Sequence, residues 1–262
     1  MNEIYISQDI KKKNEILKKI KFFSGILILC TIIILICYLI IYSPVFSIEK
    51  INITNNERVN NDEVLNFIKS NIFSNSIFKK VLGFQNILIW PNYLKNNSNL
   101  LPEIKEVSIK KDYFHKNIEI KVLERKLYGM WCKENECLWF DEAGYLFNKS
   151  PLSEGALILK VFDYSERKLG IGNFVLPQNL MSNLIQVFDV LQKAQINFYS
   201  AELKNLENEE IAIKTQDGPT IYFSLNFPPP DISFIKKKIE EKRDFNSLKY
   251  LDLRIENKVF YK

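Results

Sequence analysis

Phe22 to Tyr42, FFSGILILCTIIILICYLIIY, is twenty-one consecutive residues without one Asp, Glu, Lys, Arg, Asn, Gln, His or Pro, and no other stretch constrains the chain as strongly. At ~1.5 Å per residue such a helix reaches roughly 31 Å, the thickness of a bilayer's hydrocarbon layer, and it satisfies its own backbone where no water can. A cleaved signal peptide fits poorly. Its apolar region is usually ~7 to 15 residues and ends in small residues, whereas Leu39-Ile40-Ile41-Tyr42-Ser43-Pro44 offers no such site. A buried core helix fits poorly too, because it is apolar tracts of ~10 to 14 residues, not one of this length, that remain ambiguous. The reading is therefore a single uncleaved membrane span at 22–42.

The flanks give the span a direction. Residues 1–21 carry Lys11, Lys12, Lys13, Lys18, Lys19 and Lys21 against Glu3, Asp9 and Glu15, a net of +3, so the positive-inside tendency keeps this tail in the cytoplasm. Of the chain's +5, about +2 is then left for the 220 residues beyond position 42. That balance is too even to argue for nucleic acid as a partner. The tail's lysines are explained by topology and by contact with anionic headgroups.

Those 220 residues suit two domains and hold ample Ile, Leu, Phe and Tyr for a core. Phe46, Ile48, Ile51 and Ile53 mark an irregular strand. Asn60-Asn61-Asp62 offers a cap to an amphipathic helix through Val64, Leu65, Phe67 and Ile68. Phe73, Ile77 and Phe78 continue the apolar pattern, and Pro91 predicts the first turn of a second helix. After a polar turn at Asn96 to Asn99, two alternating strands carry Ile104, Val107 and Ile109, then Ile118, Ile120 and Val122. The order is β-α-α-β-β over residues 43–125. It implies a three-stranded sheet with helices on one face.

From residue 126 to 262 the pattern is mostly β with two helices. Short strands are expected at Tyr128 to Cys132, Cys137 to Phe140, Tyr145 to Phe147, Ala156 to Phe162, Ile196 to Leu203, Glu210 to Thr215 and Thr220 to Leu225. Asp141-Glu142-Ala143-Gly144 reads as a hairpin turn. Leu180, Leu184, Val187, Phe188 and Leu191 form one stripe of a helix over 178–193. A second helix follows Pro228-Pro229-Pro230-Asp231, and two strands, Leu248 to Ile255 and Lys258 to Tyr261, close the chain.

The four cysteines divide between two compartments. Cys30 and Cys37 lie in the span as small packing residues. Cys132 and Cys137 flank a four-residue polar loop between aromatic strand ends, which allows either a cross-hairpin disulfide in an oxidising exterior or two free thiols. A metal site lacks ligands, because His115 is the chain's single histidine. No P-loop, G-x-S-x-G or H-E-x-x-H string is present, and Gly170-Ile171-Gly172 stands outside the context of a nucleotide loop. Asp141 and Glu142 could be imagined as the acids of a membrane-anchored glycan hydrolase, but neighbours on a strand face opposite ways and cannot flank one bond. The residues thus point to no enzyme, no cofactor and no small-molecule substrate.

The order of these segments, with the strings Phe46-Ser47-Ile48-Glu49-Lys50-Ile51, Leu101-Pro102-Glu103-Ile104-Lys105-Glu106-Val107, Ile118-Glu119-Ile120-Lys121-Val122-Leu123-Glu124-Arg125, Phe140-Asp141-Glu142-Ala143-Gly144-Tyr145-Leu146-Phe147 and Tyr250-Leu251-Asp252-Leu253-Arg254, resembles the FtsQ/DivIB family of bacterial cell-division proteins. The resemblance covers nearly the whole chain. It implies an α+β protein: a cytoplasmic tail (1–21), a transmembrane helix (22–42), a POTRA domain (43–125) and a C-terminal β domain (126–262). It also implies a non-enzymatic scaffold at the division septum, binding the small bitopic proteins FtsB and FtsL and helping to control septal peptidoglycan synthesis. The chain departs from the family pattern at Phe114-His115 and Lys126-Leu127, where proline is common, and the Cys132/Cys137 pair is not a family hallmark. A POTRA-bearing assembly or secretion component is the competing reading, although such proteins usually repeat the unit before a barrel and no repeat is found here.

The resemblance places the FtsB-binding region near the C-terminal strands, at Asp252, Arg254, Ile255 and Asn257. A terminal strand also leaves N–H and C=O groups open to strand addition, which adds Tyr250 and Val259 to the expected site. Arg254 would hold an acidic partner side chain through its fork of donors, or would instead pair with Asp252 or a neighbouring strand.

Overall fold

In a computed structural model of the protein, residues 3–73, 77–95, 101–134, 136–151 and 158–262 are described, with side chains from Leu17 onward. The turn expected at Asn96 to Asn99, the start of the strand expected from Ala156, and the Phe78 side chain lie outside the described residues. The chain forms two compact units. Residues 1–54, 64–94 and 108–121 make the first, and residues 55–63, 95–107 and 122–262 the second. Both are discontinuous in sequence, whereas the sequence reading places one cut at 125/126.

The first unit begins with α1 (Glu3–Tyr42), one forty-residue helix whose stretch Leu17–Tyr42 is long and apolar enough to cross a membrane. Ser43 ends it. The Ser43 side chain accepts from the Val45 amide and Pro44 occupies the first position of a short 3-10 turn, Pro44–Phe46. Phe46 therefore lies outside the first strand, contrary to expectation, and β1 (Lys50–Thr54) starts four residues later. The amphipathic helix α2 (Asn61–Phe73) buries Val64, Phe67, Ile68 and Ile72. α3 (Ile77–Leu82) follows.

Pro91 does not begin a helix. Asn86 caps a 3-10 turn at Ile87–Ile89, and Trp90, the residue before the proline, is extended at φ −71°, ψ 129°. Proline disfavours helical backbone at the preceding residue, so the turn stops there and the chain leaves it as a short strand, β2 (Tyr93–Lys95). With β3 (Ile104–Asp112) and β4 (Asn117–Glu124) the sheet has four strands in the order β1-β4-β3-β2, β1 running parallel to β4. The expected three-stranded sheet therefore has a fourth strand, β2, at its margin, and the second helix is α3 at Ile77–Leu82 rather than one starting at Pro91. Alternate residues Ile118, Ile120 and Val122 of β4 are buried, as period two requires of a sheet covered on one face.

The second unit is built on a nine-stranded mixed sheet, order β13-β12-β11-β10-β9-β8-β5-β6-β7. Its strands are β5 (Gly129–Lys133), β6 (Glu136–Phe140), β7 (Leu146–Lys149), β8 (Lys160–Asp163), β9 (Phe198–Leu203), β10 (Glu210–Thr215), β11 (Thr220–Ser224), β12 (Tyr250–Leu253) and β13 (Phe260–Tyr261). The helices α4 (Gln178–Lys193) and α5 (Ile232–Glu240) close one face. Their stripes Leu184, Val187, Leu191 and Ile232, Ile235, Ile239 share one core with Val161, Ala201, Ile213, Ile221, Phe223, Leu251 and Leu253. α4 occupies the span its apolar stripe predicts. Asp231 caps α5 by accepting from the Ser233 and Phe234 amides, which fixes its start just after the three prolines.

Two tight features hold the β5 end of the sheet. Cys132 and Cys137 are directly opposed in the β5/β6 hairpin and joined by a disulfide. Gly144, at φ +79°, turns the chain between β6 and β7. A Cβ there would lie 2.8 Å from Met181 Sδ and 3.0 Å from Val175 Cγ2, so glycine is required both for its backbone and for the close approach of α4.

Candidate partner-binding site

At the β13 end of the sheet, β12 is bracketed on both sides. β11 runs parallel to it, pairing Tyr222 with Asp252 and Phe223 with Leu253, and β13 returns antiparallel, pairing Asp252 with Phe260 and Leu251 with Tyr261. Further bonds run from the Lys262 amide to the Tyr250 carbonyl (3.3 Å) and from the Lys249 amide to the Lys262 carbonyl (2.6 Å). Tyr250 and Asp252 thus sit on an interior strand, and the sheet's margin is the two-residue β13. Since Lys262 turns its backbone groups toward β12, the alternation of an antiparallel pair turns those of Val259 and Tyr261 outward.

The turn between the strands explains why β13 returns. The Lys258 amide donates to the Ile255 carbonyl (3.1 Å), and Asn257 takes φ +60°, a left-handed position that asparagine tolerates better than most residues. Ile255, Val259 and Phe260 are exposed around it. An apolar fringe next to outward backbone groups is what an added strand needs, with main-chain bonds for affinity and side-chain contacts for register.

Arg254 is already occupied within the chain. Its Nε and Nη2 fork onto Asp252 (2.9 and 2.5 Å), its Nη1 reaches Glu210 Oε2 (3.0 Å), and its guanidinium lies over the Tyr222 ring at 5.1 Å. The Arg254 amide also donates to Asp252 Oδ1 (3.1 Å). The hydrogen bond from the Arg254 side chain is the main reason the Asp252 carboxyl is held below the usual carboxylate range, and the two acids in turn push Arg254 further up. Of the two readings left open for Arg254, pairing inside the chain is the one present. Glu210 and Tyr222 are the members that sequence reasoning missed. The parallel β11/β12 pairing that brings them there crosses over through α5, and no local pattern records it. A cavity of about 260 Å³ beside Arg254 is lined by Glu202, Glu210, Ala212 and Tyr222 among others.

Asp141, the acid imagined for hydrolysis, is committed to architecture. It accepts from Arg125 Nη1 (2.6 Å) and from the amides of Ala143 and Tyr145 (both 3.0 Å), and Arg125 lies 3.8 Å from the Tyr145 ring. A second buried acid, Asp163, accepts from Trp131 Nε1 (3.0 Å), Ser165 and Arg167. Burial alone would push its carboxyl up, but these bonds together outweigh it and hold it below the usual range.

No family model and no curated protein matches this chain.

Proposed function

We propose that the protein is a membrane-anchored scaffold that recruits partners through strand addition. Within that class it serves as a bitopic component of the bacterial divisome, akin to the FtsQ/DivIB proteins. Its N-terminal tail is cytoplasmic, α1 crosses the cell membrane, the β-α-α-β-β portion is a POTRA domain, and both folded parts work outside the cytoplasm at the septum. The observation that carries the reading is the open margin at β13, where Tyr261 turns its backbone groups outward and Val259, just before the strand, stands beside the exposed Ile255 and Phe260. β13 is short, which itself limits random pairing at this edge, but Val259 to Tyr261 carries no proline or charge that would block an added strand.

The occupant is an FtsB-like bitopic protein adding a strand along β13, with Ile255, Val259 and Phe260 setting its register. Arg254, Asp252 and Asn257 hold the site from within: the ion pairs lock the last turn of β12, and Asn257 brings the chain round. FtsL-like and other septal cell-wall proteins join through that partner. Full-length protein in nanodiscs, titrated with an FtsB-like partner, tests this. Val259→Pro removes one outward N–H and should weaken binding at least tenfold with little change in Tm. Equal affinity of the folded variant would refute the site. A functional N-terminal fluorescent fusion should gather at midcell, and a uniform envelope signal would refute the division role.

A further inference from the structure

The last turn of α1 is built into the first folded unit rather than leading to it through a free linker. Asn86 is buried; its Nδ2 donates to the Ile40 carbonyl at 3.0 Å, one of the carbonyls a helix leaves unsatisfied at its end, and its Oδ1 accepts from the Leu88 amide. Ser47 bridges Asn86, the Ile48 amide donates to the Gln85 carbonyl, and Ile40 and Ile41 are half-covered. Ile40 lies two residues inside the apolar stretch 22–42, ~3 Å along the helix, so the loop holding it is at the level where hydrocarbon meets headgroups.

The same end of this unit carries exposed apolar side chains. Val45 precedes β1, Leu88 follows the Asn86 cap, and Ile77 and Val81, four residues apart on one face of α3, are 82% and 59% exposed. The β3/β4 turn is at this end too. β1 and β4 are parallel with Lys50 opposite Asn117, and the Lys116 carbonyl accepts from the Glu49 amide while its Nζ meets Glu49 Oε1 at 2.7 Å. Asp112 stiffens the turn by accepting from the Phe114 and His115 amides (both 3.1 Å), and Phe114 at its tip is 97% exposed, with Tyr113 at 50% beside it. Lys50 and Lys80 are exposed near these groups, while Lys116 is held by Glu49.

We propose that this end of the first unit is a lipid-docking face. Phe114, Tyr113, Val81, Ile77, Leu88 and Val45 enter the interfacial layer of the bilayer that holds α1, and the neighbouring lysines meet anionic headgroups. Amphipathic surfaces of this composition bind a membrane by combining apolar burial with attraction to acidic lipid, and a single aromatic held at a stiff turn contributes area at small entropic cost. Continuity with the span selects lipid as the occupant: the Asn86 clamp already fixes one margin of the face at the bilayer surface. The inference rests on α1 being in a bilayer but not on the divisome reading.

Depth measurement on the full chain tests it. Single nitroxide labels at Val81→Cys, Phe114→Cys, Lys121→Cys and Ile33→Cys, in a Cys30→Ser/Cys37→Ser background with the disulfide intact, are read in vesicles of phosphatidylethanolamine and phosphatidylglycerol. The labels at 81 and 114 should be severalfold more accessible to oxygen than to a water-soluble nickel chelate. The label at 121, at the other end of β4, should favour the chelate, and the one at 33 should be deepest. Replacing phosphatidylglycerol by a neutral lipid should raise chelate access at 81 and 114. If 33 is deep while 81 and 114 behave as in bulk water, the docking face is refuted and the span stands; this is also the result expected if the face instead awaits a protein partner. If 33 itself is chelate-accessible, the membrane reading fails first.

Discussion

Arg254 illustrates how one side chain can hold the shape of a proposed binding site from within. Its ion pairs with Asp252 and Glu210 are more than a third open to solvent on the arginine side, so their worth is that of surface pairs, about 0–1 kcal/mol. Arg254→Ala should therefore lower Tm by only a few degrees, while loosening the turn that presents Val259. The pH dependence follows from Asp252. A carboxyl whose folded pKa is depressed adds stability that is complete above its unfolded value of ~3.9 and is lost as pH falls through the folded value. The stability gap between wild type and Arg254→Ala, measured by chemical unfolding, should hold from pH 7 to about 5 and shrink as pH falls below ~3.9. Asp163 presents the opposite case, a carboxylate with no exposed side-chain surface. Asp163→Ala would strand the Trp131 indole N–H and the Arg167 guanidinium, and should cost about 3 kcal/mol in unfolding free energy.

Elements with a strong local signature were legible. The i, i+3, i+4 stripe of α4, the Asp231 cap of α5 and the turn glycine at 144 each act over a few residues, so the sequence alone locates them. Gly144→Ala should cost about 2 kcal/mol or more, combining a left-handed backbone with contact against Met181 and Val175, and calorimetry would measure it. β2 was not legible: three residues have no periodicity of their own, and the strand exists because β3 pairs with it. The closing pair was legible as two strands around Glu256-Asn257, but their lengths were not: β12 runs only from Tyr250 to Leu253 and β13 only from Phe260 to Tyr261, because pairing with β11 and with each other, not local pattern, sets where they stop. The β5/β6 hairpin falls between these cases. Four loop residues set Cys132 opposite Cys137, but spacing alone left oxidised and reduced forms open. Alkylation of unreduced, denatured protein followed by intact mass should modify Cys30 and Cys37 and leave the hairpin pair unmodified. Opening so short a loop by reduction should cost less than the ~3 kcal/mol expected for fifteen residues.

At the scale of the molecule, the lysine asymmetry around α1 makes a directional prediction. A reporter active only after export should work when fused behind Lys262 and fail when fused at Lys21; equal activity would overturn the topology. The bond from Asn86 to the Ile40 carbonyl adds a mechanical consequence. A helix joined to its domain by a floppy tether can lean in the bilayer without the domain noticing. Here the final turn of α1 is clasped, so a change in its lean, whether imposed by a thinner bilayer or by a neighbouring helix, swings the first unit as a lever swings about its fulcrum. With α1 in a bilayer, as proposed, membrane thickness would be felt as height and pitch at the far end of that unit.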